Sequence, residues 1–177
     1  MALTQYFTAT SLDGYIAGPD ESLEWLFTRA RDENGALNYS EFIAGVGALA
    51  MGSTTYEWIL DHVDTWPYEL PSWVFTQREL RTVPEARVEF ASGDVAPVHE
   101  RMVEAAAGQN VWVVGGGDLA GQFADAGLLD EVLVSIAPVT LGGGAPLLPR
   151  HLELSLDEVG RNGDFVAARF SVVRSAA

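Results

Sequence analysis

The sequence predicts an α/β fold with one mostly parallel sheet and an antiparallel C-terminal edge. Three observations carry this. Short apolar runs rich in β-branched residues alternate with segments of helical apolar spacing through the middle of the chain. Two of those runs pass through small residues straight into a helix pattern: Val111–Val114 before Gly115-Gly116-Gly117, and Ala48–Met51 before Gly52-Ser53-Thr54-Thr55. The chain ends on two strand patterns joined by Asn162-Gly163, a strong hairpin signal. Alternating strands and helices favour a parallel sheet, and a hairpin adds antiparallel strands at its edge.

The elements follow in order. Leu3 to Thr10 reads as a strand that runs into Asp13-Gly14, a turn pair in which Asp most often serves the turn. Gly18-Pro19-Asp20 is a second turn. Leu23, Leu26 and Phe27 predict a short helix over Glu21 to Arg29, with Ser22 as its cap. Arg29 to Leu37 is a polar loop. Tyr39, Phe42, Ile43 and Val46 mark a helix with one apolar face, started by Asn38 or Ser40. Ala48–Met51 is a strand, and Tyr56, Ile59 and Leu60 face inward on the next helix. Pro67 and Pro71 break the loop that precedes strands at Trp73–Phe75 and Arg87–Ala91. Val98, Met102, Val103 and Ala106 face inward on a helix over Pro97 to Ala107. Leu119, Ala120, Phe123 and Ala124 do the same after the glycine turn. Glu131 to Val139 is a long strand with one hydroxyl, Ser135, in its middle. Leu152, Leu154 and Leu156 alternate with Glu153, Ser155 and Asp157 and predict a half-buried strand. Phe165 to Val173 returns antiparallel to it.

Composition narrows the function. At 177 residues and 48% hydrophobic, the chain reads as one globular domain, 1–177. The net charge of −15 argues against nucleic acid and anionic membrane surfaces as partners, and it makes each arginine in a cleft informative. No apolar run reaches membrane-spanning length. No signal-peptide pattern opens the chain, so a cytoplasmic location is the expectation. There are no cysteines, which excludes disulfides and thiolate metal sites. His62, His99 and His151 share no ligand spacing, so no metal is expected.

The glycine turns carry the chemistry. A strand, a glycine turn and a helix start aim backbone N–H groups and a helix dipole at one point, which suits a phosphate. A tight turn without a ligand is the other reading. Gly115, Gly117 and Ala120 satisfy the dinucleotide spacing Gly-x-Gly-x-x-Gly/Ala. However, the strand that follows ends in Ala137-Pro138 with no carboxylate for a ribose, which disfavours an ordinary Rossmann site. Ser53, Thr54 and Thr55 could cap a helix or hold a phosphate. The second cluster, Gly142-Gly143-Gly144, lacks the lysine of a P-loop.

Four ordered segments then match one family: Thr10-Ser11-Leu12-Asp13-Gly14-Tyr15-Ile16-Ala17, Met51-Gly52-Ser53-Thr54-Thr55-Tyr56-Glu57, Val113-Val114-Gly115-Gly116-Gly117-Asp118-Leu119, and the run from Ala137-Pro138 to Pro146-Leu147. The chain resembles the dihydrofolate-reductase-like superfamily. In particular it is similar to stand-alone proteins related to the reductase domain of the riboflavin-biosynthesis deaminase–reductase. The resemblance implies a sheet of eight or nine strands with helices on both faces, a homodimer, and hydride transfer from NADPH, with NADH the alternative, to a small pterin- or pyrimidine-like substrate.

By position in the family, Ala9 and Ile16 would line the nicotinamide pocket. Gly52, Ser53, Thr54 and Thr55 would hold the pyrophosphate and the adenosine end, and Thr76, Gln77 and Arg78 would sit near the adenine ribose. Val114, Gly115, Gly116, Gly117, Asp118, Leu119 and Ala120 would wrap the pyrophosphate, with the Gly115–Gly116 bond cis. Ser135 matches the family's hydroxyl on the substrate side, with Asp20, Glu21 and Glu24 as candidates for its acid. Tyr15 and Trp25 would help to shape that side.

The chain departs from the family in three places. Ser53 replaces a common arginine, Asp118 stands where a basic residue is frequent, and Gly115 replaces the acid that precedes the glycine pair in riboflavin reductases. Arg78 is then the remaining partner for a 2′-phosphate. A binding protein of the same fold without efficient catalysis is the second reading.

Overall fold

The computed structural model describes residues 2–174. An eight-stranded sheet runs in the order β5-β4-β3-β6-β1-β7-β10-β9. Its parallel part consists of β1 (Thr4–Ser11), β3 (Val46–Gly52), β4 (Ser72–Phe75), β5 (Val88–Ala91), β6 (Asn110–Gly115) and β7 (Glu131–Ala137). The hairpin strands β9 (Leu154–Asn162) and β10 (Phe165–Val172) close it antiparallel. A separate two-stranded ribbon pairs β2 (Tyr15–Ala17) with β8 (Ala145–Pro146). It gives the second glycine cluster, 142–144, a partner to pack against.

Strand alternation sends apolar residues to both faces, and helices cover each face. On one face, α4 (Val95–Ala105) and α5 (Gly117–Asp125) bury Val98, Met102, Leu119 and Phe123 against Tyr6, Ala50, Val113 and Val134. On the other, α3 (Ser53–His62) sets Tyr56 and Ile59 on Met51 and Val74, while α2 (Tyr39–Ala44) packs Phe42 and Ile43 toward Leu49 and Trp112. Among the described residues no helix is long and apolar enough to cross a membrane.

Element types follow the sequence expectations, and several boundaries move. The first helix, α1 (Glu24–Phe27), is one turn long instead of spanning Glu21 to Arg29. Ser22 accepts only a 3.3 Å bond from the Glu24 amide. Asn38, not Ser40, caps α2 by accepting from the Glu41 amide at 3.0 Å. Val46 leaves α2 for β3. The helix α4 starts two residues early because Asp94 caps it through the Ala96 amide.

The half-buried strand is a correction. β9 is exposed along nearly its whole length, with Leu154, Leu156 and Val159 at 39, 57 and 60%. Alternation shows that one face is apolar but not that anything covers it, and β9 is the edge strand. A register shift opposite Arg169/Phe170 leaves Asp157 unpaired between Leu156 and Glu158. This bulge restores the parity that a regular strand would lose, so Val159 joins Leu154 and Leu156 on one face.

Candidate functional site

Parallel strands end on the same edge, so β4, β3, β6, β1 and β7 deliver their C-terminal loops side by side. With about 4.8 Å between strands, the loops from β4 to β1 span about 14 Å. A cleft of about 1660 Å³ runs along them. Its middle is built by two helix starts that nearly touch. A Cβ on Gly52 would lie 3.9 Å from Gly115 O and Gly116 N, and one on Gly115 would lie 3.5 Å from Thr55 Oγ1. The Gly115–Gly116 bond is cis, as the resemblance implies. Gly117 has no room for a side chain, because a Cβ would run into the carbonyls of Pro146 and Leu147.

The helix starts differ in a way that bears on ligands. α2 and α4 are capped by side chains. The two that meet in the middle of the cleft, α3 and α5, begin at Gly52 and Gly116 with no side-chain cap. Ser53, Thr54 and Thr55 therefore do not cap their helix. Both starts leave N–H groups pointing at one region, where an anion is stabilised.

Most of the expected cofactor residues meet here. Ala9, Ile16, Gly52 to Thr55 and Val114 to Leu119 all line the cleft, with Arg78 at its β4 end. Three do not. Ala120 is fully buried in the core below α5. Thr76 and Gln77 line a shallow groove with Phe90 and Ser92, which only Arg78 shares with the cleft. Of the residues expected on the substrate side, Ser135, Asp20, Glu21 and Glu24 border the same cleft. Asp20 and Glu24 are exposed, and Asp20 accepts from the Ser22 amide within its turn. Tyr15 and Trp25 lie outside the cleft wall.

Other wall residues were not visible as a group in the sequence. Phe7, Tyr39 and Trp112 come from β1, α2 and β6, and Tyr68 from the loop before β4. Phe7 stacks on Phe42 at 4.2 Å, and Trp112 meets Phe7, Tyr39, Phe42 and Tyr68 edge-on or tilted within 6.2 Å. The Trp112 indole donates to Phe7 O at 3.0 Å, which fixes its plane. Burial pushes the Tyr39 and Tyr68 hydroxyls up, so they stay neutral donors. Phe27 of α1 stacks on Trp58 of α3 at 5.8 Å and ties the two sides of the mouth together.

Charge at the other end is paired. Arg78 grips Glu57 and Arg81 grips Asp61. Asp118 takes hydrogen bonds from Gln122 and Arg150, which hold its carboxyl below the usual range. At the mouth, Asp13 accepts from Ser11 Oγ at 2.6 Å and from the Leu141 and Gly142 amides at 3.0 and 2.8 Å. The histidines remain apart: His62 stacks on Trp58, His99 bonds Thr4, and His151 pairs with Glu153.

The family model described as "RibD C-terminal domain" matches residues 53–160, more than half of the chain. The chain belongs to the RibD C-terminal domain family. It is 32% identical over 146 residues to "Uncharacterized protein YwjB" of Bacillus subtilis (strain 168), covering 81% of each. Its fold is similar to a "Putative riboflavin biosynthesis protein" from Shewanella sp. PV-4, at a TM-score of 0.82 and 26% identity, over 98% of this chain and 100% of that one. It also superposes on the dihydrofolate reductase of Enterococcus faecalis, complexed with NADP(H) and RAB-propyl, at a TM-score of 0.57 and 13% identity, over 96% of both. The RibD C-terminal domain is thus a dihydrofolate-reductase-like α/β fold here too, with helices on both faces of the sheet.

Proposed function

We propose that this chain is a reductase using a reduced nicotinamide dinucleotide, with NADPH as the family's usual cofactor and NADH the alternative. The observation that carries the reading is the pair of helix starts without side-chain caps, α3 and α5, meeting at Gly52 and Gly115 in the middle of the cleft. Their amides and the hydroxyls of Ser53, Thr54 and Thr55 suit a pyrophosphate. When bound, a reduced nicotinamide supplies the hydride. The chain's part is to bind, orient and exclude water. Ala9 and Ile16 would wall the nicotinamide. The aromatic wall around Trp112 would hold a flat substrate, pterin- or pyrimidine-like, with Ser135 beside it. Reduction of C=N or C=O also needs a proton, which Asp20, Glu24 or water would deliver from the rim.

Calorimetric titration with NADPH and NADH tests the reading. Binding of at least one is expected, followed by oxidation of the bound dinucleotide on a panel of flat heterocycles. Binding without turnover favours the second reading, a dinucleotide-binding protein of the same fold. The exposure of Asp20 and Glu24 motivates that alternative.

A homodimer belongs to the same proposal. Leu154, Leu156 and Val159 share an exposed face with Val166 through the β9–β10 register, next to Ala168, Phe170 and Val172, which pack into the core. Among these paired positions that face carries one charge, Arg161, and no carboxylate, so two copies can meet there without acid–acid repulsion in a chain of −15. A two-fold axis would bring the stripe against itself. A sedimentation mass of two chains is expected, falling to one in Leu156→Glu.

A further inference from the structure

The β4 end of the cleft holds Arg78, which the sequence leaves as the partner for a 2′-phosphate, and Arg81, and neither is free. Arg78 reaches from the loop after β4 to α3. Its Nη2 donates to Glu57 Oε2 at 2.6 Å and its Nη1 to Oε1 at 3.3 Å. One turn further along α3, Asp61 engages Arg81. All four side chains border the cleft. Glu57 sits four residues after Ser53, so the two lie on one helix face, with Ser53 nearer the helix start. Asp118, at the start of α5, is matched by Arg150. Among the described residues, both arginines that border this end of the cleft therefore face a carboxylate.

With the nicotinamide walled by Ala9 and Ile16 on the β1 side, as proposed above, a dinucleotide whose pyrophosphate lies on the two helix starts carries its adenosine ribose toward this end. A 2′-phosphate there brings a third phosphate group, with a charge of about −1.5 to −2, into a region without surplus positive charge. It competes with Glu57 for the Arg78 guanidinium, whose two Nη groups the carboxylate already engages, and then sits beside that carboxylate. A 2′-hydroxyl does neither. It donates to a carboxylate, which is how acidic residues hold the ribose of NAD in other dinucleotide folds. The pair is about half exposed, so displacing it is possible and the expected effect is a change of preference, not exclusion.

We infer that Glu57 is the specificity-determining residue for the adenosine ribose: by holding Arg78 it accepts a 2′-hydroxyl and lowers the preference for a 2′-phosphate. This rests on the dinucleotide reading above. The test is titration of the full chain with NADPH and with NADH, for the wild type, Glu57→Gln, and Glu57→Gln with Arg78→Gln. The wild type is expected to bind NADH at least as tightly as NADPH. Glu57→Gln frees Arg78 and should shift the ratio at least tenfold toward NADPH. Adding Arg78→Gln should remove that shift. A tenfold preference of the wild type for NADPH, or a ratio that Glu57→Gln leaves unchanged while both dinucleotides bind, overturns this inference alone. Failure of both to bind the wild type overturns the reductase reading, and this inference with it.

Discussion

The two ends of the cleft are made of different material. The end proposed for the cofactor is built mainly from backbone: glycines 52, 115, 116 and 117, and the N–H groups of two helix starts. The end proposed for the substrate is built from rings, with Phe7, Tyr39, Tyr68 and Trp112 held against one another. A backbone-built end depends on close approach, so it tolerates no added atoms. A ring-built end depends on packing, so it tolerates change in the polar groups at its rim. This predicts that substitutions at the two ends will separate cofactor affinity from turnover.

The largest effect should come from Gly117→Ala. The added methyl meets the carbonyls of Pro146 and Leu147, and backbone cannot swing aside as a side chain can. Overpacking of this kind costs about 2 kcal/mol, readable by denaturant unfolding. The displaced start of α5 should also weaken dinucleotide binding by more than about a hundredfold, equivalent to about 2.7 kcal/mol. Normal affinity in a folded Gly117→Ala protein would refute the backbone-built description of this end.

A second experiment sets hydroxyls against caps. Ser53→Ala with Thr55→Ala should leave stability within about 0.5 kcal/mol, because neither hydroxyl caps α3, as expected for surface positions. Cofactor affinity should fall about tenfold, the worth of one or two hydrogen bonds to a charged group. Asp94→Ala should do the reverse. It removes a true cap and costs about 1 kcal/mol of stability, with cofactor affinity unchanged. Equal stability losses in both variants would show that the hydroxyls serve the fold.

The same contrast explains what the sequence could show. The cofactor end is local: Gly52-Ser53-Thr54-Thr55 and Gly115-Gly116-Gly117 are contiguous, and a strand followed by small residues and a helix is readable in a single window. The parallel sheet is legible for the same reason. The ring wall joins residues about a hundred positions apart, with Phe7, Tyr39 and Trp112 on different elements and Tyr68 on a loop, and no spacing rule links them. Glu57 and Asp61 stand at i and i+4 on a helix that was predicted. Their arginine partners lie twenty residues on, so the pairs form only in the fold. The uncovered face of β9 is not legible in the sequence, because alternation reports polarity and not burial.

Ser135→Ala addresses the ring-built end. Its hydroxyl borders the cleft from β7, on the far side from the helix starts. Turnover should drop about tenfold, equivalent to about 1.4 kcal/mol, with cofactor affinity and unfolding unchanged. A parallel loss of cofactor affinity would place Ser135 at the wrong end.

The smallest effect should come from Asp13, which belongs to neither end and ties the frame of both. Its carboxylate joins the β1–β2 turn to Leu141 and Gly142, and so holds the loop that leads to β8 and Pro146, the wall behind Gly117. The Ser11 hydroxyl, and then the Leu141 and Gly142 amides, lower its pKa to about 2 from an ordinary value of 3.8. A folded value below the unfolded one means that the contribution is fully present above about pH 4 and is lost as pH falls through 2. Hydrogen exchange of the Leu141 and Gly142 amides, corrected for intrinsic rate, should therefore be slow and constant from pH 7 to 4 and accelerate below that. Asp13→Ala should exchange fast at every pH, while global unfolding shifts little because the group is exposed. An acid step that survives in Asp13→Ala would assign the loop's anchoring to another carboxylate.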